Sequence, residues 1–256
     1  MEEIKTILTI VNVFFVIYLI GYSTFLFISV IVGSIDLYRQ SKTSKLKEKI
    51  ENDYEIPISI IIPAHNEEVT VTDTVKSLLA LEYQNYEIII VDDGSTDSTA
   101  QKIIYEFNLH PVNRPINYKI KCKEKKYIYE SYNQKVPITL VMKQNGGKAD
   151  SLNMGINVAQ KPYFICMDAD SLLQYDSLKK ISSAILEDSK IVACGGLIRI
   201  SNGAEFNKGK IKTNGLPKKL LPAMQVLEYD RSFFASRIML DRFNGNLIIS
   251  GAFRII

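Results

Sequence analysis

Two aspartates, Asp168 and Asp170, offer the most definite chemistry in this chain of 256 residues. They follow the apolar run YFICM and flank the small residue Ala169. Alternate residues of an extended segment point the same way, so both carboxylates can converge on one hard divalent cation, Mg²⁺ or Mn²⁺. Such a triplet also arises by chance in surface loops, but two unbalanced carboxylates after a buried strand would be unfavourable. The pair is therefore predicted to bind a metal ion.

A second acidic pair, Asp92 and Asp93, ends another apolar run, and Glu67 follows a third, IIPAHN. Carboxylates at strand ends suit hydrogen bonding to an imide N–H and to ribose hydroxyls. These three acids are therefore predicted to bind a nucleoside.

The polar residues around these acids have simpler interpretations. The sequence GSTD after Asp93 is typical of a turn in which Ser95 or Thr96 caps a helix, and Asp97 is expected to play a similar local part. His65 is expected to make local hydrogen bonds beside its turn rather than to be catalytic.

The segment NGGKAD, residues 145–150, adds a cation. Two glycines let the backbone approach a ligand closely, and Lys148 begins a predicted helix whose amide dipoles also favour anions. A diphosphate is the expected ligand, and a Gly-Gly turn with a solvated lysine is the structural alternative. The GxxxxGK[ST] pattern of a Walker loop is absent from the sequence.

Strands and helices alternate in the pattern that would bring these motifs together. Short, β-branched, apolar runs predict strands, and apolar residues at helical spacing predict helices. The alternation predicts an α/β domain with a mainly parallel sheet, whose ligands collect at the carboxyl ends of the strands. The strands are predicted at 58–63, 86–93, 137–143, 163–170, 190–196 and 246–252, and the helices at 69–80, 95–107, 149–159 and 177–186.

The N-terminal segment differs from the rest of the chain in that residues 6–35 carry no charge. As a helix, this segment is long enough to cross a bilayer. A signal peptide or a buried core helix would be the alternatives, but the run is about twice an ordinary signal-peptide core and lacks a clear cleavage site. The lysines and arginine of residues 39–49 place the following chain in the cytoplasm. We predict a transmembrane anchor at 1–37, a charged linker at 38–56 and one folded domain at 57–256.

The composition of the chain further narrows the classes of protein to which it can belong. The chain is 46% hydrophobic with a net charge of only +3, so a folded domain is expected and a nucleic-acid partner is not. Cys122, Cys166 and Cys194 have no metal-type spacing, and the last two lie in apolar runs, where cysteine is usually a small buried side chain. Residues 108–136, with their basic run 119–126, are predicted to be a solvated insertion, and an acidic-lipid contact is the alternative.

The ordered motifs IIPAHNE, VDDGSTD, NGGKADSLNMG, DAD, QVLEYDRSF and SGAF resemble family 2 glycosyltransferases with the GT-A fold. The resemblance covers about residues 55–253 and is to the membrane-bound processive type, which includes cellulose, hyaluronan and poly-N-acetylglucosamine synthases. It implies an inverting transfer of a sugar, here N-acetylglucosamine, from a UDP-sugar to a growing polysaccharide at the cytoplasmic membrane face. The implied site residues are Pro63, Glu67, Asp92 and Asp93 for uridine and ribose, Lys148 for the diphosphate, Asp168 for the nucleotide and the metal, Asp170 for the metal, and Ser250, Gly251 and Ala252 beside the acceptor.

The chain departs from the pattern of this family after SGAF. Similar enzymes carry their catalytic base in a (T/G)ED motif beyond the last residue, Ile256, so no catalytic residue is assigned within the chain. We therefore expect a truncated enzyme that a C-terminal fragment or membrane subunit would complete. Two alternatives remain open: nonprocessive transfer to a lipid-linked acceptor, and an inactive membrane-tethered protein that binds UDP-sugar.

Overall fold

The computed structural model describes residues 2–47, 55–131, 134–187, 191–196, 198, 204–207, 210–214, 217–233 and 253–256. For residues 40–47, 187, 204–207 and 210–214 it describes the backbone alone. The chain forms two compact units. One, here called the sheet unit, holds Asp53–Ile198, Gly203–Gly215 and Ile249–Ile256, and the other, the helix unit, holds Met1–Asn52, Arg199–Asn202 and Leu216–Ile248.

The sheet unit is built on one large mixed sheet. Its described strands are β1 (Ile58–Ala64), β2 (Tyr86–Asp92), β3 (His110–Pro111), β4 (Lys125–Glu130), β5 (Ile138–Lys143), β6 (Tyr163–Met167), β7 (Cys194–Gly195) and β10 (Phe253–Ile255), and a separate hairpin contains β8 (Ala204–Asn207) and β9 (Lys210–Asn214). The strand order of the sheet is β3-β4-β5-β2-β1-β6-β10-β7. The four central strands, β5, β2, β1 and β6, run parallel. Strands β4 and β10 flank them in antiparallel orientation.

The described helices are α1 (Glu2–Lys47), α2 (Val71–Leu79), α3 (Thr99–Glu106), α4 (Lys148–Val158), α5 (Ser177–Glu187) and α6 (Leu220–Asp230). Helices α2 to α5 belong to the sheet unit and lie between its strands in sequence, as the strand–helix alternation predicts. The predicted mainly parallel α/β fold is therefore confirmed.

Two hydrophobic clusters pack against the sheet. Because side chains alternate along a strand, Ile88 of β2 belongs to the larger cluster and its neighbour Ile89 to the smaller one. The larger cluster includes Leu78 of α2, and the smaller one includes Met154 of α4. Each fully buried side chain of this size contributes about 1.5–3 kcal/mol. The central strands are apolar on both faces because both faces are covered.

Helix α4 approaches the sheet closely at Gly155. A Cβ atom at this position would lie 2.2 Å from Cγ2 of Ile61 on β1. Only glycine lets the two backbones come so near without displacing that side chain. The contact sets how closely α4, and therefore Lys148 at its first position, lies against the strands.

In the segment 108–136, the lysines Lys119, Lys121, Lys123 and Lys126 of the basic run are exposed, as predicted for a solvated insertion. The segment also belongs to the sheet unit and supplies strands to it, which was not predicted. It contributes the edge strands β3 and β4, and β4 pairs with β5. Residues 112–124, here called the strap, run along α4, where Asn157 accepts from the backbone N–H of Ile120 at 2.9 Å and donates to its carbonyl at 2.7 Å. Val112, Ile116 and Cys122 pack against the smaller hydrophobic cluster. The alternation of buried and exposed residues in this segment is too weak to predict a strand from the sequence.

The predictions for strands 190–196 and 246–252 and for the two cysteines in apolar runs had different outcomes. Of the predicted strand 190–196, residues 191–196 are described, and among these only Cys194–Gly195 is a strand. Cys194 is half-buried, whereas Cys166 is buried as predicted. Burial raises the pKa of the Cys166 thiol above its ordinary value. The predicted strand 246–252 lies outside the described residues, and the described strand begins one residue later, at Phe253.

Helix α1 of the helix unit is continuous for 46 residues and continues into the charged segment after residue 37. Its part Glu2–Arg39 is long and apolar enough to cross a membrane, and 6% of its most apolar window is buried. Large side chains such as Phe14 and Phe27 are 67% exposed. These properties are those expected of a helix that contacts lipid.

The close approach at Gly155 predicts the effect of a single methyl group. Gly155→Ala should lower the free energy of unfolding by about 1–3 kcal/mol, because Ile61 must move although alanine favours the helix. Urea unfolding of the detergent-solubilised chain, followed by circular dichroism, measures the change. Gly21→Ala is the control, since a Cβ there meets no atom within 4 Å. Equal midpoints for the two variants would contradict the packing described.

Candidate active site

A cleft of about 250 Å³ opens at the carboxyl ends of the parallel strands. It brings together six of the residues singled out from the sequence: Pro63, Glu67, Asp93, Lys148, Asp168 and Asp170. Ala64, His65, Ser151 and Ala169 complete its lining. Asp92 is buried at the end of β2 and does not line the cleft, and Ser250, Gly251 and Ala252 lie outside the described residues.

The acidic pair lies just after β6, where the chain leaves the sheet. Ala169 between the two acids is buried, and its carbonyl oxygen accepts a hydrogen bond from Oγ1 of Thr74 at 2.7 Å. This bond ties the acidic turn to α2. Asp170 is exposed, whereas the side chain of Asp168 is 32% exposed and pairs with the ammonium group of Lys148.

Lys148 and Asp168, which both line the cleft, form an ion pair. The lysine side chain is 55% exposed, so solvent screens the pair and it contributes only about 0–1 kcal/mol. An anionic ligand can therefore draw Lys148 away, and a cation can draw Asp168 away, at little energetic cost. The pair keeps both charges balanced within the lining of the cleft.

The acidic pair has the donor atoms for part of a coordination shell. Two carboxylate groups are the hard oxygen donors that Mg²⁺ and Mn²⁺ prefer, and such ions commonly complete their shell with substrate phosphates and water. Within the described part of the chain, no group of three or more His, Cys, Asp or Glu residues is arranged to hold a metal ion. Asp168 and Asp170 therefore fit an ion that arrives with a phosphate ligand better than a structural ion held by protein alone.

Asp93 organises the glycine loop between β5 and α4. One carboxylate oxygen accepts from the backbone N–H of Gly146 at 2.9 Å, and the other accepts from that of Gly147 at 2.7 Å. The ammonium group of Lys143, a side chain with 0% exposure, also donates to this carboxylate. Three of the roughly four acceptor positions of Asp93 are thus occupied by protein groups.

Charge balance decides the ionisation of this network. Burial by itself would raise the pKa of Asp93, but hydrogen bonds from Lys143, Gly146 and Gly147 outweigh it and hold the pKa below the ordinary value of 3.8. Burial would likewise lower the pKa of Lys143, but Asp150 and Asp93 raise it above 10.5. Burial would raise the pKa of Asp150 too, but hydrogen bonds from Lys143 and from the backbone N–H of Lys123 hold it below 3.8. Asp93, Lys143 and Asp150 are therefore all charged at neutral pH.

The PAHNE and GSTD turns interlock above the strands. Asn66 has a positive φ of 58°, and its side-chain oxygen accepts from the backbone N–H of Thr96 at 2.8 Å. The backbone N–H of Asn66 donates to Oγ of Ser95 at 3.0 Å, and that of Glu67 donates to Oγ1 of Thr99 at 2.9 Å. These bonds hold Glu67 at the rim of the cleft, where Thr70 donates to its carboxylate at 2.7 Å.

The prediction that Ser95 or Thr96 caps a helix was therefore wrong. Helix α3 begins three residues later, at Thr99, because the turn bonds to residues 66–68 instead. Asp97 does play the local part predicted, since its carboxylate accepts from the backbone N–H of Thr99 at 3.0 Å. His65 also acts locally, with Nδ1 3.1 Å from the carbonyl oxygen of Asp93.

Lys143 was missed in the sequence. It closes an apolar strand, as Asp92 does in β2, and a lone charge in that position was the available signal. One of its two acidic partners follows β2 and the other lies in α4, so only the folded chain identifies them.

The depressed pKa of Asp93 predicts a pH dependence. A carboxyl group with a lowered pKa stabilises the fold above its unfolded pKa, and this stabilisation is lost as the pH falls through the folded pKa. Asp93→Asn should lower the free energy of unfolding by about 3–5 kcal/mol at pH 7, and the difference from the unsubstituted chain should shrink below pH 3.8. Urea unfolding between pH 7 and pH 2.5 measures it, with the exposed Asp73→Asn as control. A difference that does not change with pH would contradict the ionic role.

Relatives with known names match most of this chain. Poly-beta-1,6-N-acetyl-D-glucosamine synthases of Staphylococcus aureus (strain COL) and Staphylococcus epidermidis are each 34% identical to it over 199 residues. The match covers 77% of this chain and 42% of each relative, so the chain spans less than half of their length.

Solved structures are more distant. Crystals of S. aureus TarS 1-349 in complex with UDP-GlcNAc contain a chain that is 21% identical, with a TM-score of 0.41 and coverage of 64% of this chain and 37% of that one. The mannosyltransferase PcManGT from Pyrobaculum calidifontis, in complex with GDP-Man and Mn²⁺, is 17% identical with a TM-score of 0.46, and the match covers 68% and 48%.

The family model described as "Glycosyl transferase family 2" matches residues 59–121 and 124–255, which include every described strand of the sheet except the first residue of β1. The cleft with its acidic pair lies inside these ranges. With its GT-A fold, this chain belongs to glycosyltransferase family 2.

Proposed function

We propose that this chain is the donor-binding part of an inverting glycosyltransferase that extends a polysaccharide with N-acetylglucosamine taken from a UDP-sugar. The observation that carries the proposal is the convergence of Asp168, Asp170 and Lys148 in one cleft with Asp93 and Glu67. The curated relatives, which are named as N-acetylglucosamine polymer synthases, support the choice of sugar and product.

The lining of the cleft offers two kinds of chemistry that suit the two parts of a nucleotide donor. Pro63, Glu67 and Asp93 contribute an apolar ring and hydrogen-bond acceptors, which suit a uracil base and ribose hydroxyls. The buried carboxylate of Asp92 holds the turn after β2, since it accepts from the backbone N–H of Ser95 at 3.2 Å. The proposal assigns the nucleoside to this edge of the sheet.

Lys148, Asp168 and Asp170 contribute the charged groups of the lining, which suit a diphosphate and its cation. The ammonium group of Lys148 would contact the phosphate oxygens, and Asp168 and Asp170 would hold Mg²⁺ or Mn²⁺ against them. When bound, such an ion would neutralise charge that develops on the leaving UDP. Lys148 lies at the first position of α4, where the helix dipole also favours an anion.

The reaction in this proposal is a single displacement. A hydroxyl oxygen of the acceptor forms a bond to the anomeric carbon as the bond from that carbon to the UDP oxygen breaks, which inverts the configuration. The hydroxyl proton passes to a carboxylate base. We assign this base to no described residue of the chain and place it in the part of the relatives that the chain does not span. Ser250, Gly251 and Ala252 are proposed to border the acceptor.

The proposal includes anchoring of the enzyme to the cell membrane. Helix α1 has the length and the exposed apolar surface of a single membrane span. The basic residues that follow it, Arg39 to Lys49, favour a cytoplasmic location for the sheet unit. Transfer at the cytoplasmic face would give the enzyme direct access to soluble nucleotide sugars. Residues 1–37 are proposed as the anchor, 38–56 as the linker and 57–256 as the glycosyltransferase domain.

Donor binding is tested with the detergent-solubilised chain. UDP should bind in the presence of Mn²⁺, and Asp170→Asn should weaken that binding by about tenfold to a hundredfold, because it removes one carboxylate from the proposed ion. Isothermal titration calorimetry with UDP, with and without Mn²⁺, measures both effects. The exposed Asp73→Asn serves as the matched charge control. UDP binding that is unaffected by Asp170→Asn would remove the metal role.

Transfer is tested with the chain extended by the C-terminal region of the S. aureus synthase. Membranes containing this protein should convert radiolabelled UDP-N-acetylglucosamine into a high-molecular-weight polymer, and Lys148→Met should reduce the rate at least about a hundredfold. Gel filtration and organic extraction separate the products. Lipid-linked monosaccharide would indicate nonprocessive transfer instead, and UDP binding without any product would indicate an inactive binding protein.

A further inference from the structure

Lys143 does not line the cleft, yet it is the most deeply buried charged side chain near it, with 0% exposure. Its ammonium group pairs with Asp93, the residue after β2, and, at 2.8 Å, with Asp150 from the first turn of α4. It also donates to the carbonyl oxygen of Gln144 at 2.9 Å. All three donor positions of the ammonium group are therefore used.

A buried lysine is stable only when its ammonium group is fully paired. Lys143 therefore restricts the positions of Asp93 and Asp150, and these two residues restrict the position of Lys143. Its two carboxylate partners carry one negative charge more than Lys143 can balance. Backbone amides supply the remainder: Gly146 and Gly147 donate to Asp93, and Lys123 of the strap donates to both oxygens of Asp150, at 3.1 and 3.2 Å.

The result is a loop, residues 144–147, that is held at every residue. Lys143 holds Gln144, the ammonium group of Lys123 donates to the carbonyl oxygen of Asn145 at 2.5 Å, and Asp93 holds both glycines. The glycines are required by shape: Gly147 has a φ of 88°, and a Cβ at Gly146 would lie 2.5 Å from Oδ2 of Asp150. Lys148, the cation of the cleft, is the next residue of the chain.

We propose that Lys143 is a positioning residue for the donor, which fixes the glycine loop through Asp93 and Asp150 so that Lys148 faces the diphosphate. This inference rests on the proposed function. It also assigns the anion contact of the loop to Lys148, because the amides of Gly146 and Gly147 are already used by Asp93.

The first test needs no donor. Hydrogen exchange of the detergent-solubilised chain, read by mass spectrometry, should show exchange across residues 144–148 accelerated about tenfold or more in Lys143→Met. Asp150→Asn, a milder change at a less buried partner, should accelerate the same peptides and serves if Lys143→Met does not fold. Leu78→Ala, a cavity variant in the larger hydrophobic cluster, is the control for general destabilisation. Unchanged loop exchange in both network variants, or equal acceleration in Leu78→Ala, would overturn the proposal.

The second test separates positioning from mere structural support. With UDP and Mn²⁺, Lys143→Met should weaken binding about tenfold or more, and Lys143→Arg should restore part of that loss. In a Lys148→Met background, Lys143→Met should add less than about twofold, since Lys143 acts through Lys148. Fully additive losses would overturn the proposal. If the unsubstituted chain binds no UDP, the proposed function fails, and the exchange experiment alone decides the role of Lys143.

Discussion

Acidic side chains crowd the carboxyl edge of the parallel sheet, and the buried ones have to be matched by a positive charge or a backbone amide. The ends of three strands, β1, β2 and β6, and the first turn of α4 carry these acids. Two lysines answer them in different ways. Lys143 is buried and permanently paired with Asp93 and Asp150, whereas Lys148 is half-exposed and holds Asp168 by a weak, solvent-screened pair. The buried Lys143 network is therefore rigid, whereas the exposed Lys148–Asp168 pair can rearrange. This second pair lines the cleft.

The rigid network depends on the close packing of α4. Gly155 lets the helix lie against β1, which brings Asp150 within reach of Lys143 at the end of β5. The strap then covers the outer side of the helix and bonds to Asp150 and Asn157. Packing, charge and backbone hydrogen bonds therefore act on the same short loop. This convergence explains why two adjacent glycines precede a lysine there: the loop must be tight enough for Asp93 to bind two successive amides.

Much of this arrangement could be predicted from single residues, and the failures have physical causes. Continuous β-branched runs identify β1, β2, β5 and β6, and strand ends place Asp93, Lys148, Asp168 and Asp170 at one edge. Which group binds which could not be predicted. The local sequence around Ser95 and Thr96 is typical of a helix cap, but both residues form hydrogen bonds with Asn66, which follows β1, instead. Strand β4 was missed because the sequence KKYIYE alternates weakly, and its pairing with β5 decides its conformation.

The antiparallel strand β10 has a consequence for the order in which this protein is assembled. Phe253 pairs with Met167, immediately before the acidic turn, although 85 residues of chain separate the two. During synthesis on the ribosome, one edge of β6 has no neighbour on that side until this late segment emerges. Closing so long a loop is slow compared with local folding. The turn that carries Asp168 and Asp170 therefore acquires its full structural support only after residues 168–252 have been translated.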